Sequence, residues 1–135
     1  DSGSTILHNV ADAALTLPAA AAGLKFKVIL GIESTAGCNI LTASAADCFF
    51  GTIPLYSSDT ADQTGVAQQL TYAVSIAAPA SYDALKFVAA TTTIGGVVGT
   101  VVHLTAVSGV AWYVSIPQHM TSDNNPGTCA LIVAR

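Results

Sequence analysis

Short apolar segments rich in β-branched and aromatic residues recur along the chain, separated by Gly, Pro, Asn, Asp and Ser. This spacing is typical of strands joined by turns, and helical periodicity is weak throughout. We predict an all-β, single-domain fold for residues 1–135, an antiparallel β-sandwich or barrel resembling a jelly roll. About nine strands are expected among the segments 5–10, 13–17, 24–32, 38–42, 48–53, 70–76, 84–88, 99–106, 111–116 and 128–133.

In two of these segments, the distribution of apolar residues predicts how far each face of the strand is buried. In 24–32, alternate residues form an apolar face and a face that carries Lys25 and Lys27, which predicts a half-buried strand. In 100–107 both faces are largely apolar, so this strand is predicted to be central or covered by a neighbour.

A hairpin is predicted where this apolar strand ends. Ser108 and Gly109 form the expected tight turn, in which Gly109 would accept a positive φ. Trp112 and Tyr113 are adjacent in the returning strand, so one side chain should point into the core and the other outward.

Three segments are predicted to lie outside the strands. Residues 18–23 (PAAAAG) are too short for an independent helix and should form one helical turn or a corner. The polar segments 57–69 and 119–127 are predicted surface loops. Residues 1–9 form a candidate arm that would become ordered through partner contacts.

The composition limits the classes of partner. Only 9% of the residues are charged, against about a quarter in an average domain. With eight acidic and four basic residues the net charge is −4, so the chain lacks the basic patch that phosphate binding requires, and nucleic acid is not an expected partner. No apolar run of about 18 residues is present, so a membrane span is not expected either.

The three cysteines, Cys38, Cys48 and Cys129, do not form the even, dense set of a small disulfide-rich domain. We predict that they are mostly reduced and buried. A Cys38–Cys48 bridge across a hairpin stays open as an alternative, because the loop between these residues is long enough to close.

Catalytic and metal-binding constellations are weak in this sequence. His119, Asp123 and Cys129 could in principle form a base, an orienting group and a nucleophile, but no glycine-framed elbow surrounds Cys129. Asp59 and Asp62 share one predicted loop without the calcium-loop pattern. We therefore predict no enzyme activity, no cofactor and no metal site.

Four residues are predicted to lie in the core or at a subunit interface: Trp112, Tyr113, His103 and Phe26. A histidine in an apolar strand is more often a packed or interface residue than a catalyst, and His103 is interpreted in this way. An outward aromatic at Trp112 or Tyr113 could bind a partner protein or a sugar.

Turns and strand faces over about two thirds of the chain form a recognisable set. Its segments are Leu15-Thr16-Leu17-Pro18-Ala19-Ala20, Gly23-Leu24-Lys25-Phe26, the 40–51 hairpin, Gly99-Thr100-Val101-Val102-His103-Leu104, Ser108-Gly109 and Trp112-Tyr113-Val114. Together these segments resemble small bacteriophage capsid decoration proteins, also called cement or head-fibre-type proteins.

The resemblance implies a β-sandwich or barrel protomer that forms a homotrimer, binds the major capsid protein on the outer surface of the virion, and stabilises the head against internal DNA pressure. One departure is the closing turn Val107-Ser108-Gly109-Val110, which is less polar than the family pattern and suggests burial against another subunit. The alternative hypothesis is a phage fibre or receptor-binding module that recognises host glycans, for which residues 123–126 are a candidate region.

Overall fold

The computed structural model describes residues 1–11, 13–32, 38–52, 54–57, 70–71, 82–87, 98–117, 119–121 and 132–133. These residues contain strands and no helix, so the predicted all-β class is confirmed for the described part of the chain. The strands are β1 (Ser4–His8), β2 (Ala14–Thr16), β3 (Lys25–Leu30), β4 (Cys38–Leu41), β5 (Cys48–Thr52), β6 (Pro54–Ser57), β7 (Leu70–Thr71), β8 (Ala84–Phe87), β9 (Val101–Ala106), β10 (Ala111–Ser115), β11 (His119–Thr121) and β12 (Ile132–Val133).

Three sheets are formed by these strands. A five-stranded sheet has the order β1-β3-β9-β10-β5, a four-stranded sheet the order β12-β8-β4-β2, and a three-stranded sheet the order β11-β6-β7. Each sheet contains both parallel and antiparallel pairs. The prediction of a wholly antiparallel arrangement is therefore wrong, and the described strands do not close into a barrel.

The path of the first five strands explains why β1 pairs with β3, and β2 with β4, in the parallel direction. β1, β3 and β5 belong to the five-stranded sheet, whereas β2 and β4 belong to the four-stranded sheet, so the chain alternates between the two sheets. Parallel neighbours need a crossover connection, and here a strand of the opposite sheet lies within it. β1 consequently lies parallel to β3, and β2 parallel to β4.

The predicted strands agree with the structure at most positions. All ten predicted segments contain a strand, although only the ends of 70–76 and 128–133 lie among the described residues. β6 and β11 were not predicted, and β11 occupies the start of the expected 119–127 loop. Within the candidate arm 1–9, residues Ser4–His8 pair with β3 along their whole length, so this part is an edge strand of the sheet.

One hydrophobic core is shared by the five-stranded and four-stranded sheets. The burial of β3 alternates as predicted, with both lysines on the more exposed face. β9 is central, as predicted, but only its inner face is fully buried. The core side chains are Leu17, Phe26, Val28, Leu30, Ile40, Phe49, Leu85, Phe87, Val102, Leu104, Ala106, Trp112, Val114 and Ile116.

The predicted hairpin joins β9 to β10, and these strands pair antiparallel. The Val107 backbone N–H donates to the Ala111 carbonyl at 2.9 Å, and the Val110 N–H donates to the Ser108 hydroxyl oxygen at 3.3 Å. Gly109 does not take the predicted positive φ. The hairpin closes through a loop of three residues with a side-chain acceptor, which does not need a left-handed glycine at its second position.

A close backbone approach in the five-stranded sheet occurs at Gly51, which lies opposite Val114 in the parallel β5–β10 pair. Gly51 has a φ of 153°, a conformation that residues with a Cβ rarely adopt. A Cβ built there would overlap the Val114 carbonyl oxygen, and backbone atoms cannot move aside as a flexible side chain can. Glycine is therefore required at this position of β5.

We predict that Gly51→Ala lowers the free energy of unfolding by about 3 kcal/mol or more, because overpacking and backbone strain combine. Urea denaturation followed by circular dichroism measures the change. Gly109→Ala is the matched control, since it has an ordinary φ and open space around its Cβ, and it should change stability by less than about 1 kcal/mol. Equal effects of the two substitutions would contradict the close approach.

Candidate functional site

Two of the four predicted core or interface residues lie inside the protein. Trp112 on β10 is completely buried, and Phe26 on β3 is buried beside it. Their ring centroids are 5.9 Å apart with a tilt of 44°, a favourable separation for an aromatic pair. Both residues belong to the core cluster. Among the described residues, the buried indole Nε1 of Trp112 has no hydrogen-bond partner.

The other two residues lie on the opposite face of the same sheet. Tyr113 is 38% exposed, as expected for the neighbour of a buried Trp112. His103 is also exposed, so it does not lie in the core, and its predicted role at a subunit interface stays a prediction. The reason is its register: His103 lies between Val102 and Leu104, whose buried side chains face the core, and its own side chain therefore points outward.

The register of the five strands places these residues in a continuous surface, which we call the outer face. One row across the sheet joins Thr5, Lys27, His103 and Ser115, each directly opposite the next. A second row joins Lys25, Thr105, Tyr113 and Phe50 in the same way. A third row continues the face with Leu7, Ile29 and Val101.

Two aromatic side chains of the outer face, Phe50 and Tyr113, contact each other. The rings of Phe50 and Tyr113 are 5.6 Å apart and meet edge to face. The sequence analysis did not single out Phe50, although Phe49 and Phe50 are adjacent in β5 and must face opposite sides. Because Phe49 lies in the core, the alternation of side chains along β5 places Phe50 on the outer face.

Cys48 lies at the junction of the two large sheets, next to Asp47. The Cys48 N–H donates to Val110 and the Phe49 N–H donates to Tyr82, which links β5 to the segment that leads into β8. Burial, and then the Asp47 carboxylate, raise the pKa of the Cys48 thiol. A protonated, buried thiol is a weak nucleophile.

Cys48 is a free cysteine, so the alternative bridge between Cys38 and Cys48 is not formed. The predicted reduced and buried state is confirmed for Cys48. Cys129 lies outside the described residues.

Of the other residues considered for catalysis or metal binding, only His119 lies among the described residues. His119 begins β11, while Asp123, Cys129, Asp59, Asp62 and the 123–126 region lie outside the described residues. In the part of the chain that the structure describes, no three His, Cys, Asp or Glu residues are close enough to bind one metal ion. The same residues include no helix long and apolar enough to span a bilayer.

Comparison with protein-family models gives no match for this chain, and neither curated proteins nor solved structures contain a significant relative. The candidate site is therefore defined by its geometry alone. It is the outer face of the five-stranded sheet, whose rows include the exposed Tyr113 and His103, the half-buried Phe50 and two lysines.

We predict that substitutions at the adjacent residues Trp112 and Tyr113 have different effects on stability. Trp112→Ala removes a fully buried ring and should cost about 3–5 kcal/mol, enough to unfold the protomer or dissociate its oligomer. Tyr113→Ala removes an exposed ring and should cost at most about 1 kcal/mol.

Denaturation followed by circular dichroism compares these variants. Trp112→Phe is a useful intermediate, because it keeps an aromatic ring and removes the unpaired indole N–H, so it should lose less stability than Trp112→Ala. Normal melting of Trp112→Ala would contradict its place in the core.

Proposed function

We propose that this chain is a structural protein of a bacteriophage virion, a decoration or cement protein that binds the outer capsid surface as a homotrimer and stabilises the head. Its partner would be the major capsid protein, and the two large sheets would be the layers of a sandwich-like protomer. The observation that carries the proposal is the unequal use of the two faces of the five-stranded sheet: among the described residues, the inner face supplies most of the core, and the outer face is exposed or half-buried.

The composition of the outer face supports a docking role. Aromatic residues are enriched where protein interfaces are most buried, because they remove a large area from water and lose little side-chain entropy. The Phe50–Tyr113 pair is of this kind, and the neighbouring Thr105 and Ser115 are small polar groups that tolerate close packing. Tyr113 can thus contribute to binding without contributing much to folding.

The β9–β10 hairpin supports contact between copies of the chain. Val107 and Val110 flank its turn and are 48% and 51% exposed in the protomer. Covering both side chains would remove apolar surface from water, which stabilises an interface by about 25 cal/mol per Å² before the costs of association. A trimer also matches the local three-fold axes of an icosahedral shell.

A second candidate is a fibre or receptor-binding module that recognises host glycans. The exposed Phe50–Tyr113 pair favours it, because sugar rings pack against aromatic side chains. In this case isolated protomers should bind free oligosaccharides. A decoration protein should instead bind assembled heads and ignore oligosaccharides.

Binding to heads tests the proposal directly. Purified heads that lack the protein are mixed with it and separated by sedimentation, and bound protein is quantified. We expect saturable binding and an increase in the temperature at which the heads release their DNA. Failure of the folded protein to bind such heads, together with binding to an oligosaccharide array, would replace this function with the glycan-binding candidate.

We predict that the double substitution Val107→Ser and Val110→Ser weakens the trimer at least tenfold, because it removes two apolar contacts. Light scattering over a dilution series measures the native mass, which for the unaltered chain should be three times 13.6 kDa. Val98→Ser is the matched control, since Val98 is 49% exposed but lies away from the hairpin. If the double variant dissociates no more readily than Val98→Ser, the hairpin is not the subunit contact.

A further inference from the structure

Two of the four basic residues of the chain, Lys25 and Lys27, lie on the outer face of β3. The five strands of this sheet carry no Asp or Glu. These strands are therefore basic, although the chain as a whole has a net charge of −4.

The arrangement of these groups is unfavourable for folding alone. Lys27 lies directly opposite His103, and Lys25 lies two residues away on the same face of β3. Basic groups that face each other across a strand pair destabilise a sheet when both are charged, and no acidic residue on these strands compensates them. Local arrangements that oppose stability occur most often where a surface has a binding role.

Two acidic residues that the structure describes lie beyond the ends of these strands. Asp1 is exposed and precedes β1, and its carbonyl accepts hydrogen bonds from Ser4. Asp47 is buried and immediately precedes β5. On the five described strands, two lysines and a histidine therefore lie beside the Phe50–Tyr113 pair with no acidic residue on the same strands.

We propose that the outer face binds an acidic protein surface, with Lys25 and Lys27 pairing with carboxylates of the partner and Tyr113 packing beside them. The inference deepens the proposed function and rests on it in placing the partner surface on the capsid. Charge complementarity selects the partner and its orientation, and the aromatic pair supplies buried area. Two lysines are too few for the phosphate contacts of nucleic-acid binding, which leaves carboxylates as the complementary groups.

The first experiment uses hexaglutamate as a probe and does not depend on a capsid. Backbone and side-chain NMR signals of the protein are followed during its titration at low salt. We expect shifts confined to Lys25, Lys27, His103 and their strand neighbours, which decrease at 200 mM salt and disappear in the Lys25→Gln/Lys27→Gln variant. Lys86→Gln is the matched control, because Lys86 lies on β8 of the four-stranded sheet, and it should leave the shifts unchanged.

Two results of the titration would overturn the proposal. One is an absence of shifts on the outer face, and the other is binding there of a heparin hexasaccharide at least tenfold tighter than hexaglutamate, which would identify a sulfated glycan as the partner. Hexalysine serves as the charge control and should cause no shifts on this face.

The second experiment separates this proposal from the proposed function. Binding to purified heads should be at least about tenfold weaker for Lys25→Gln/Lys27→Gln than for Lys86→Gln, with a smaller salt dependence. If both variants bind heads equally well, the proposed pairing of Lys25 and Lys27 with carboxylates of the partner is wrong. The proposed decoration function would not be affected by this result. Loss of head binding in the unaltered protein would overturn the function, while the hexaglutamate titration would still decide whether the face accepts carboxylates.

Discussion

The alternation of the first five strands between two sheets is the constraint on which the rest of the structure depends. Because β1, β3 and β5 lie in one sheet and β2 and β4 in the other, the two sheets are connected repeatedly over residues 4–52. Their inner faces share one core, in which Trp112 contacts Phe26 from a neighbouring part of the sheet. Once this core is filled, every second residue of β3, β9 and β10 must face outward.

Stability and the proposed binding role consequently belong to different faces of one sheet. The inner face contributes apolar burial, and the backbones of Gly51 and Val114 lie too close for a Cβ at position 51. The outer face can carry groups that add little to folding, such as Tyr113, Lys27 and His103. A domain with so few charged residues can then retain a localised charged surface while most of its exterior stays neutral.

Local patterns in the sequence predicted much of this arrangement. The two faces of 24–32 and the opposite directions of Trp112 and Tyr113 follow from the period of two in a strand. Parallel pairing could not be predicted, because it depends on which sheet each strand joins, and that choice is made by contacts distant in sequence. The sequence could not decide whether His103 faces the core or an interface, because both faces of its strand are largely apolar and the sequence does not show which one the core covers. The close approach at Gly51 depends on the β5–β10 pairing and left no local signal.

The central claim is that one face of the five-stranded sheet is buried in the core and the other binds the capsid. Hydroxyl-radical footprinting with mass spectrometry tests it most directly, on the free protein and on the protein bound to heads. The account predicts that Trp112 and Phe49 resist oxidation in both states, whereas Tyr113 and His103 react in the free protein and become protected on the head. Continued oxidation of Tyr113 and His103 on the head, or rapid oxidation of Trp112 in the free protein, would contradict it.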